Sequence, residues 1–527
     1  MQREAGGVRV LALHVPDLAL QRVRRGRERE APAVLRQAQD GRIEERPLAI
    51  VAEGRVVCCD DAAQAKGVRA GAPIAEALAA CGRLLAVPQD PSAERAALRA
   101  LAEVMLALAP AVEIAPPDVL LLDASAAHLL APRRPSLPGG STGALAGGAL
   151  AGEEELARRA LRAAADMGYA ARAAIADGRG PARALARHAG RSIVAVPPGA
   201  TAGALAALPL DALGLPPGVA ARLAGLGIRD AGALARLPAG TLAHRFGAEG
   251  VLAVRLARGE DDSPLSAYVP ETLPEEALEL EAPAETADPL LFGLKRLAER
   301  VSARLAGRGL GATRLRVVLK LDPRGEERIV APLAAPTASA SRWLLPLKEH
   351  LFSLRLPGAV TGLKLAALEV ASLAPEQLAI GDRPEALAAL EGVLARLAVR
   401  LGDGAMFAAE PVERYRPEHA YRPVPFRPDR ARPRNGTADG APPRPTRLLA
   451  APEPVVAEGE GGRLTALRVD GRARSVLALD GPERLRGEWW SSPFDRDYYR
   501  VRLESLGDCW VYRDGRDGRL YLHGFFD

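Results

Sequence analysis

Aromatic side chains are scarce in this chain: Phe, Trp and Tyr together make up 4% of its 527 residues. Its cores must therefore be built from Ala, Leu and Val, which the 48% hydrophobic content supplies. Lysine is scarce too, with five residues (Lys66, Lys295, Lys320, Lys348, Lys364) among 70 basic ones, a bias that GC-rich coding produces together with abundant Arg, Ala, Gly and Pro. The four cysteines, Cys58, Cys59, Cys81 and Cys509, show no CxxC spacing, so neither a disulfide framework nor a zinc site is indicated. No apolar run approaches the roughly 20 residues that span a bilayer, and the opening MQREAGGVRV lacks a signal-peptide pattern. The expectation is a cytoplasmic protein with no membrane partner.

What is present points to several domains, because single cores rarely grow beyond about 250 to 300 residues. The net charge of +5 permits a polyanionic partner without requiring one. Val8 to Leu13 reads as a buried strand leading into a helix, and Leu48 to Val51 with Arg55 to Cys59 as a hairpin. A helix opened by Pro73, a strand at Leu84 to Val87, a long helix over Ser92 to Leu108 and a strand pair at Val112 to Ile114 and Val119 to Leu122 continue an α/β layer. Ala131 to Gly152, rich in Pro, Gly, Ser and Ala, is expected to be a surface loop before a helix over Glu153 to Met167 and a strand over Ala171 to Ala176. Short helices follow from Ala202 to Arg258, then an α+β pattern of helix, strands, helix and strand between Ala282 and Ile380. From Val412 to Arg447 nine Arg and four acids alternate with eight prolines, a composition expected to form an extended basic tether. Leu464 to Phe526 reads as a small all-β domain.

Three segments suit nucleic-acid contact. In DALGLPPGVAARLAGLGIRDAGALARLP, Asp211 to Pro238, two short helices flank Leu215 to Val219, as in a helix-hairpin-helix. There Gly218 lets backbone N–H groups approach a phosphate and Arg222 adds a charge; a plain helical linker is the competing reading. Along one strand Arg314, Arg316 and Lys320 alternate with Leu315, Val317, Leu319 and Leu321, which puts cations on one face for phosphates or for solvent. Thr337 to Arg342 offers hydroxyls and the Arg342 cation, suited to backbone contacts or to an ordinary loop.

The order of these modules resembles the Y-family DNA polymerases over roughly residues 8 to 380, and the segments Ala65 to Asp90 and LPLDALGLPPGVAARLAGLGI carry the likeness. The resemblance implies a multidomain α/β and α+β fold: palm (first strand, 1–13), fingers (14–83), palm (84–195), helix-hairpin-helix thumb (196–265) and little finger (275–381). An interaction segment (382–411), the tether (412–462) and a small all-β C-terminal domain (463–527) complete it. The family's metal-binding Asp matches His14, with Pro16 where a second acid often stands, and its Asp-Glu pair matches Asp118-Val119. One carboxylate of three remains, too few to offset dehydration of two Mg2+ ions, so no metal site and no cofactor are expected. Family residues that touch the triphosphate match Asp61 and Gln64, the steric gate matches Ala19, and a Lys near the nucleotide matches Arg183.

Within that family the chain resembles the inactive homologues of bacterial mutagenesis cassettes. The likeness implies a non-catalytic adaptor for DNA damage-induced (SOS) translesion synthesis, nucleoid-associated, whose partners are primer-template DNA, the sliding clamp, RecA-like ImuA and an error-prone C-family polymerase. An active but divergent polymerase using Asp118 with Asp17 or Asp123 is the alternative. Leu390 to Glu410 resembles the helix and strand by which RecA protomers join, with Leu394, Leu397 and Leu401 on one helical face and Met406-Phe407 after a turn. It suits docking on ImuA, or packing on the little finger. Leu448-Leu449 matches the apolar pair of clamp-binding peptides without their Gln, or begins the β domain. That domain gathers Trp489, Trp490, Tyr498, Tyr499, Trp510, Tyr512 and Tyr521, as core or as stacking surface. Consecutive Trp489 and Trp490 are expected to expose at least one ring.

Overall fold

The computed structural model describes residues 8–26, 46–131, 143–188, 190–216, 218–323, 325–373, 405–426, 443–460 and 463–526, with single positions between 390 and 401. The chain divides into two compact units, 1–400 and 401–527. No helix among the described residues is long and apolar enough to cross a membrane.

The first unit opens with strand β1 (Arg9–His14) and helix α1 (Leu18–Gly26). The fingers follow: β2 (Leu48–Ala52), β3 (Arg55–Cys59), α2 (Asp61–Gln64), α3 (Ile74–Ala80) and β4 (Leu85–Pro88), with a sheet ordered β3-β2-β4. Helix α4 (Pro91–Met105), β5 (Val112–Ala115), β6 (Val119–Asp123), α5 (Gly143–Asp166), β7 (Arg172–Asp177), α6 (Arg179–His188) and β8 (Ile193–Ala195) return to the palm. Its sheet has the order β5-β6-β1-β7-β8, with β1 at the centre. The uninterrupted apolar run of β1 is explained by burial on both faces. Leu11 and Leu13 join Leu120 and Leu122 beneath α4 and α5, whereas Val10 and Ala12 face α6 and the thumb. Sequence periodicity indicated one covering layer; the structure supplies two.

Of residues 131–152, expected to be a loop, the stretch from Gly143 onward is helical, as α5 begins there, and 132–142 lie outside the described residues. Its glycines suggested turns, yet a Cβ at Gly152 would collide with the carbonyl of Ala127. That Gly marks close packing inside a helix rather than a break.

The thumb comprises α7 (Thr201–Leu205), a 3-10 turn at Leu210–Leu213, α8 (Val219–Gly225), α9 (Ala231–Ala235) and α10 (Ala239–Ala257), which kinks at Gly247. The little finger starts with β9 (Glu275–Ala284), a strand the sequence pattern did not reveal. Helix α11 (Ala287–Gly307), β10 (Leu310–Asp322), β11 (Glu326–Thr337), α12 (Ala340–Ser353) and β12 (Ala359–Ser372) complete an antiparallel sheet ordered β11-β10-β12-β9. Leu290, Leu294, Leu297, Val301 and Leu305 recur every three or four residues along α11 and pack, with Trp343, on Leu315, Val317 and Leu319.

A buried ionic network ties this domain to palm and fingers. Arg304 of α11 reaches Glu103 of α4 at 2.8 and 3.3 Å and Glu276 of β9 at 2.9 Å. Arg25 of α1 pairs with the same Glu276 and donates to the Met167 carbonyl at 2.6 Å. Close by, Gly307 leaves room for the Glu103 carbonyl that any Cβ would strike. The connection from thumb to little finger is strapped along the palm, with Tyr268 N–H donating to Val112 O at 2.7 Å and Ser266 N–H to Glu113 at 2.8 Å.

In the second unit β13 (Phe407–Pro411) and β14 (Tyr421–Pro425) form a hairpin. Strands β15 (Arg447–Glu460), β16 (Arg463–Val469), β17 (Arg472–Gly487), β18 (Phe494–Leu503), β19 (Gly507–Asp514) and β20 (Leu520–Phe525) close a barrel. Two expectations are corrected here. The tether proposed over 412–462 is strand at both ends, and the β domain begins at Arg447 rather than 463, because β15 pairs with β20 and β16 and no closed barrel forms without it.

Glu103 is 2% exposed, and removing it leaves the buried Arg304 with Glu276 alone, a carboxylate it already shares with Arg25. Glu103→Ala is expected to cost about 3–5 kcal/mol in the cooperative unit joining palm and little finger. A denaturant titration of the full chain, followed by the lowered midpoint of that transition, measures it.

Candidate functional site

At one edge of the palm, β1 ends where β6 begins: His14 lies opposite Val119, and Val15 N–H donates to Asp118 O at 2.9 Å. This pairing brings His14 and Asp118 together as the sequence reading required. His14 Nε2 lies 3.4 Å from Asp118 Oδ2, and Arg187 of α6 hydrogen-bonds the other carboxylate oxygen. Burial opposes ionisation of Asp118, but the hydrogen bonds from His14 and Arg187 prevail and hold its carboxyl below the usual range. The anion is thereby matched by side chains of the protein itself.

Arg187 was not singled out from sequence, although RALARH places it one helical turn after Arg183. Along α6, Arg179, Arg183 and Arg187 recur at i, i+4 and i+8: Arg179 pairs with Glu113 and Arg187 with Asp118. Arg183 lies against Gly214, where a Cβ would strike its guanidinium. Burial, then the charges of Arg187 and Arg179, push the Arg183 pKa down.

The other sequence-derived positions spread across the fingers. Ala19 is buried on α1 with Leu48 and Ile50. Asp61 is exposed at the start of α2, and Gln64 donates its side-chain amide to Cys59 O at 3.0 Å. Pro16 accepts from Gln21 at 2.6 Å. Neither alternative acid completes a carboxylate cluster with Asp118. Asp123 lies opposite Val10, four strand residues from the His14 end, or about 13 Å at the rise of an extended chain. Asp17 faces the fingers, where its charge adds to burial in raising the thiol of Cys58. Among the described residues no three His, Cys, Asp or Glu side chains gather as a metal would require. One carboxylate bonded to a guanidinium and an imidazole does not fit a two-metal centre.

The nucleic-acid candidates lie apart from this corner in sequence and fold. Gly218 adopts φ 81°, a left-handed N-cap of α8 that glycine tolerates, while Arg222 pairs with Glu249 at 3.0 Å and covers the Phe246 ring. On β10 the alternation holds, but its cationic face is mixed: Arg314 meets Glu369 at 3.4 Å, Arg316 meets Glu275 at 3.8 Å, and Lys320 lies opposite Glu326. Arg342 is half-buried in the first turn of α12.

Of the interaction segment, Leu394 is half-buried and Leu397 and Leu401 are exposed in helical conformation. Met406 is half-buried, and exposed Phe407 stacks on Tyr421 in the β13–β14 hairpin. Leu448 and Leu449 lie in β15, half-buried against the barrel's two interior clusters, which corrects their reading as a flexible peptide. In that interior Tyr498, Trp510 and Tyr512 are core, as one reading allowed, whereas Trp489 and Trp490 occupy a turn and both are exposed.

A family model described as impB/mucB/samB matches residues 30–187, the stretch that ends on Arg187. Protein ImuB of Caulobacter vibrioides, from strain NA1000 / CB15N and from strain ATCC 19089 / CIP 103742 / CB 15, is 32% identical over 483 residues, covering 87% of this chain and 100% of the relative. The chain belongs to the ImuB family. Similar solved structures include a Dbh ternary complex, at 16% identity and TM-score 0.37, and DinB from Sulfolobus solfataricus, at 17% and 0.36. Each covers 68% of this chain and 98% of its own. This member of the ImuB family has a mixed α/β first unit, within which the impB/mucB/samB match falls, and a closed β-barrel in the second.

Because the folded state lowers the Asp118 pKa, its contribution to stability is present above the unfolded value near 4 and is lost as pH falls through the folded value. Asp118→Asn is expected to lose about 1–3 kcal/mol at pH 7 by weakening two charge-assisted hydrogen bonds. The gap to the parent chain should begin to narrow below about pH 4 and close as pH falls past the lower folded value. Parallel denaturation series at the two pH values measure it.

Proposed function

We propose that this chain is a non-catalytic, DNA-binding adaptor of translesion synthesis. The observation that carries the reading is the engagement of Asp118 by Arg187 and His14. A polymerase palm needs carboxylates free to replace water around divalent cations. Here the surviving carboxylate meets a guanidinium that keeps its proton at any physiological pH, so entry of a cation would have to displace an internal ion pair. The name of the Caulobacter relatives and the impB/mucB/samB match support placing this chemistry in mutagenic DNA repair.

In this reading the thumb and little finger hold primer-template DNA through phosphates. The left-handed Gly218 turn ahead of α8 and the cations of β10 are the expected contacts. Leu394, Leu397 and Leu401, with Met406 and Phe407, are the expected dock for RecA-like ImuA, since apolar side chains left wholly or partly exposed suit a partner's groove. The clamp contact belongs to the same assembly, as does the C-family polymerase. A clamp peptide built on Leu448 and Leu449 would first have to peel β15 from β20, so the remainder of the tether is the better place to seek it.

Primer extension on undamaged and lesion-bearing templates, in Mg2+ and in Mn2+, is expected to show no incorporation. Clear incorporation abolished by Asp118→Ala would overturn the reading in favour of a divergent polymerase. Duplex binding should persist and weaken with salt. Gly218→Pro, which cannot adopt φ 81°, should lower it roughly tenfold in gel-shift titrations. For the partner surface, deletion of 394–410 should abolish co-purification of ImuA, and retained binding would refute that assignment.

A further inference from the structure

Three exposed aromatic rings converge on one turn of the second unit. Trp489 and Trp490, between β17 and β18, are 79% and 65% exposed, with ring centroids 5.4 Å apart in an edge-on arrangement. Tyr415, 69% exposed, lies beside Gly487 at the end of β17. The other described tryptophans, Trp343 and Trp510, are buried. Leaving indoles in water is unfavourable unless something covers them.

The turn is held from below. Glu488 is buried with a left-handed φ of 53°, and its carbonyl accepts from the N–H groups of Ser491 and Ser492 at 3.0 Å each. Its carboxylate faces Arg416 at 3.3 Å, Arg414 at 3.9 Å and His419 at 4.0 Å. Arg416 also donates to the Ser492 carbonyl and covers the Phe494 ring at 5.0 Å. A strained residue retained under two indoles fixes their presentation, which lowers the ordering cost of binding.

Charge identifies the occupant. Among the described residues the acid that this group contacts, Glu488, is buried beneath the turn, whereas Arg414 and His419 remain exposed. Elsewhere on the barrel, arginines meet acids one to one or two to one, as in Arg484 with Asp497, Arg486 with Asp495, and Arg500 and Arg502 with Asp508. We infer that Tyr415, Trp489 and Trp490 form a stacking platform for unpaired bases of single-stranded DNA, with the exposed Arg414 facing its backbone. Aromatic faces beside cations bind single strands without sequence preference, because every base offers a π-face. The platform is distinct from the duplex contacts proposed for thumb and little finger, and its test separates the two.

Because Trp343 and Trp510 are buried, fluorescence quenching reports on Trp489 and Trp490. Titration of the full chain with oligothymidylate of about 12 nucleotides should quench the exposed-tryptophan emission. Trp489→Ala with Trp490→Ala should abolish the quench and weaken single-strand binding roughly tenfold or more. Arg414→Ala should reduce the slope of log affinity against log salt by about 0.7. Gly218→Pro should weaken duplex binding and leave the quench intact, so loss of either site is read independently. No quench at saturating oligothymidylate, or parental single-strand affinity in the double variant, would overturn the proposal. Loss of a protein partner by a double variant that keeps parental single-strand affinity would assign the surface to that partner and overturn it equally.

Discussion

A carboxylate withdrawn from water needs a cation close by, and two junctions of this kind organise the first unit. Glu103 and its neighbour Glu276 are met by Arg304 and Arg25, which binds little finger, palm and fingers at one buried junction. Asp118 is met by Arg187 and His14 at the palm's edge. Both junctions depend on arginine, whose guanidinium stays charged under burial and reaches two oxygens at once. A chain with five lysines in 70 basic residues is suited to such internal pairing. The composition bias, whatever its origin in coding, is therefore used structurally.

Much of the architecture was legible because its signals are local. The strand pairs 48–59 and 112–123, the thumb's short helices and the alternation along β10 follow from runs of one period bounded by Gly and Pro. What escaped depends on tertiary contact. Gly152 reads as a helix breaker until Ala127 is seen pressed against it. β9 carries the acids Glu275, Glu276 and Glu279, whose strand preference comes from pairing with β12 and from the Arg304 junction rather than from its own composition. Likewise β15, begun inside a Pro-rich stretch, becomes a strand because β20 and β16 flank it.

The candidate site was readable in its anionic half only. His14 and Asp118 could be located from the family resemblance, which places one at the end of the first strand and the other just before a later strand that pairs with it. Arg187 could not, because its partner lies 69 positions earlier and only the packing of α6 against the sheet joins them. In the second unit the aromatic cluster divided along a line that composition does not mark. Tyr498, Trp510 and Tyr512 alternate inward along β18 and β19, while Trp489 and Trp490 fall where the strands turn.

The pairing of Asp118 bears on how a polymerase-like fold persists under the adaptor reading. A palm that binds two Mg2+ ions must hold several carboxylates together without them, and their mutual repulsion is a strain that the fold carries for function. An arginine facing the last of those carboxylates converts that repulsion into an internal pair and removes the need for metal in the resting fold. In the proposed function the exchange leaves the grip on a duplex untouched, because the phosphate contacts proposed there belong to backbone N–H groups and cations of thumb and little finger rather than to palm acids. Stability at the palm and affinity for DNA are thus separable quantities in this architecture, and a chain retaining both while relinquishing metal needs no change outside the few side chains around His14, Asp118 and Arg187.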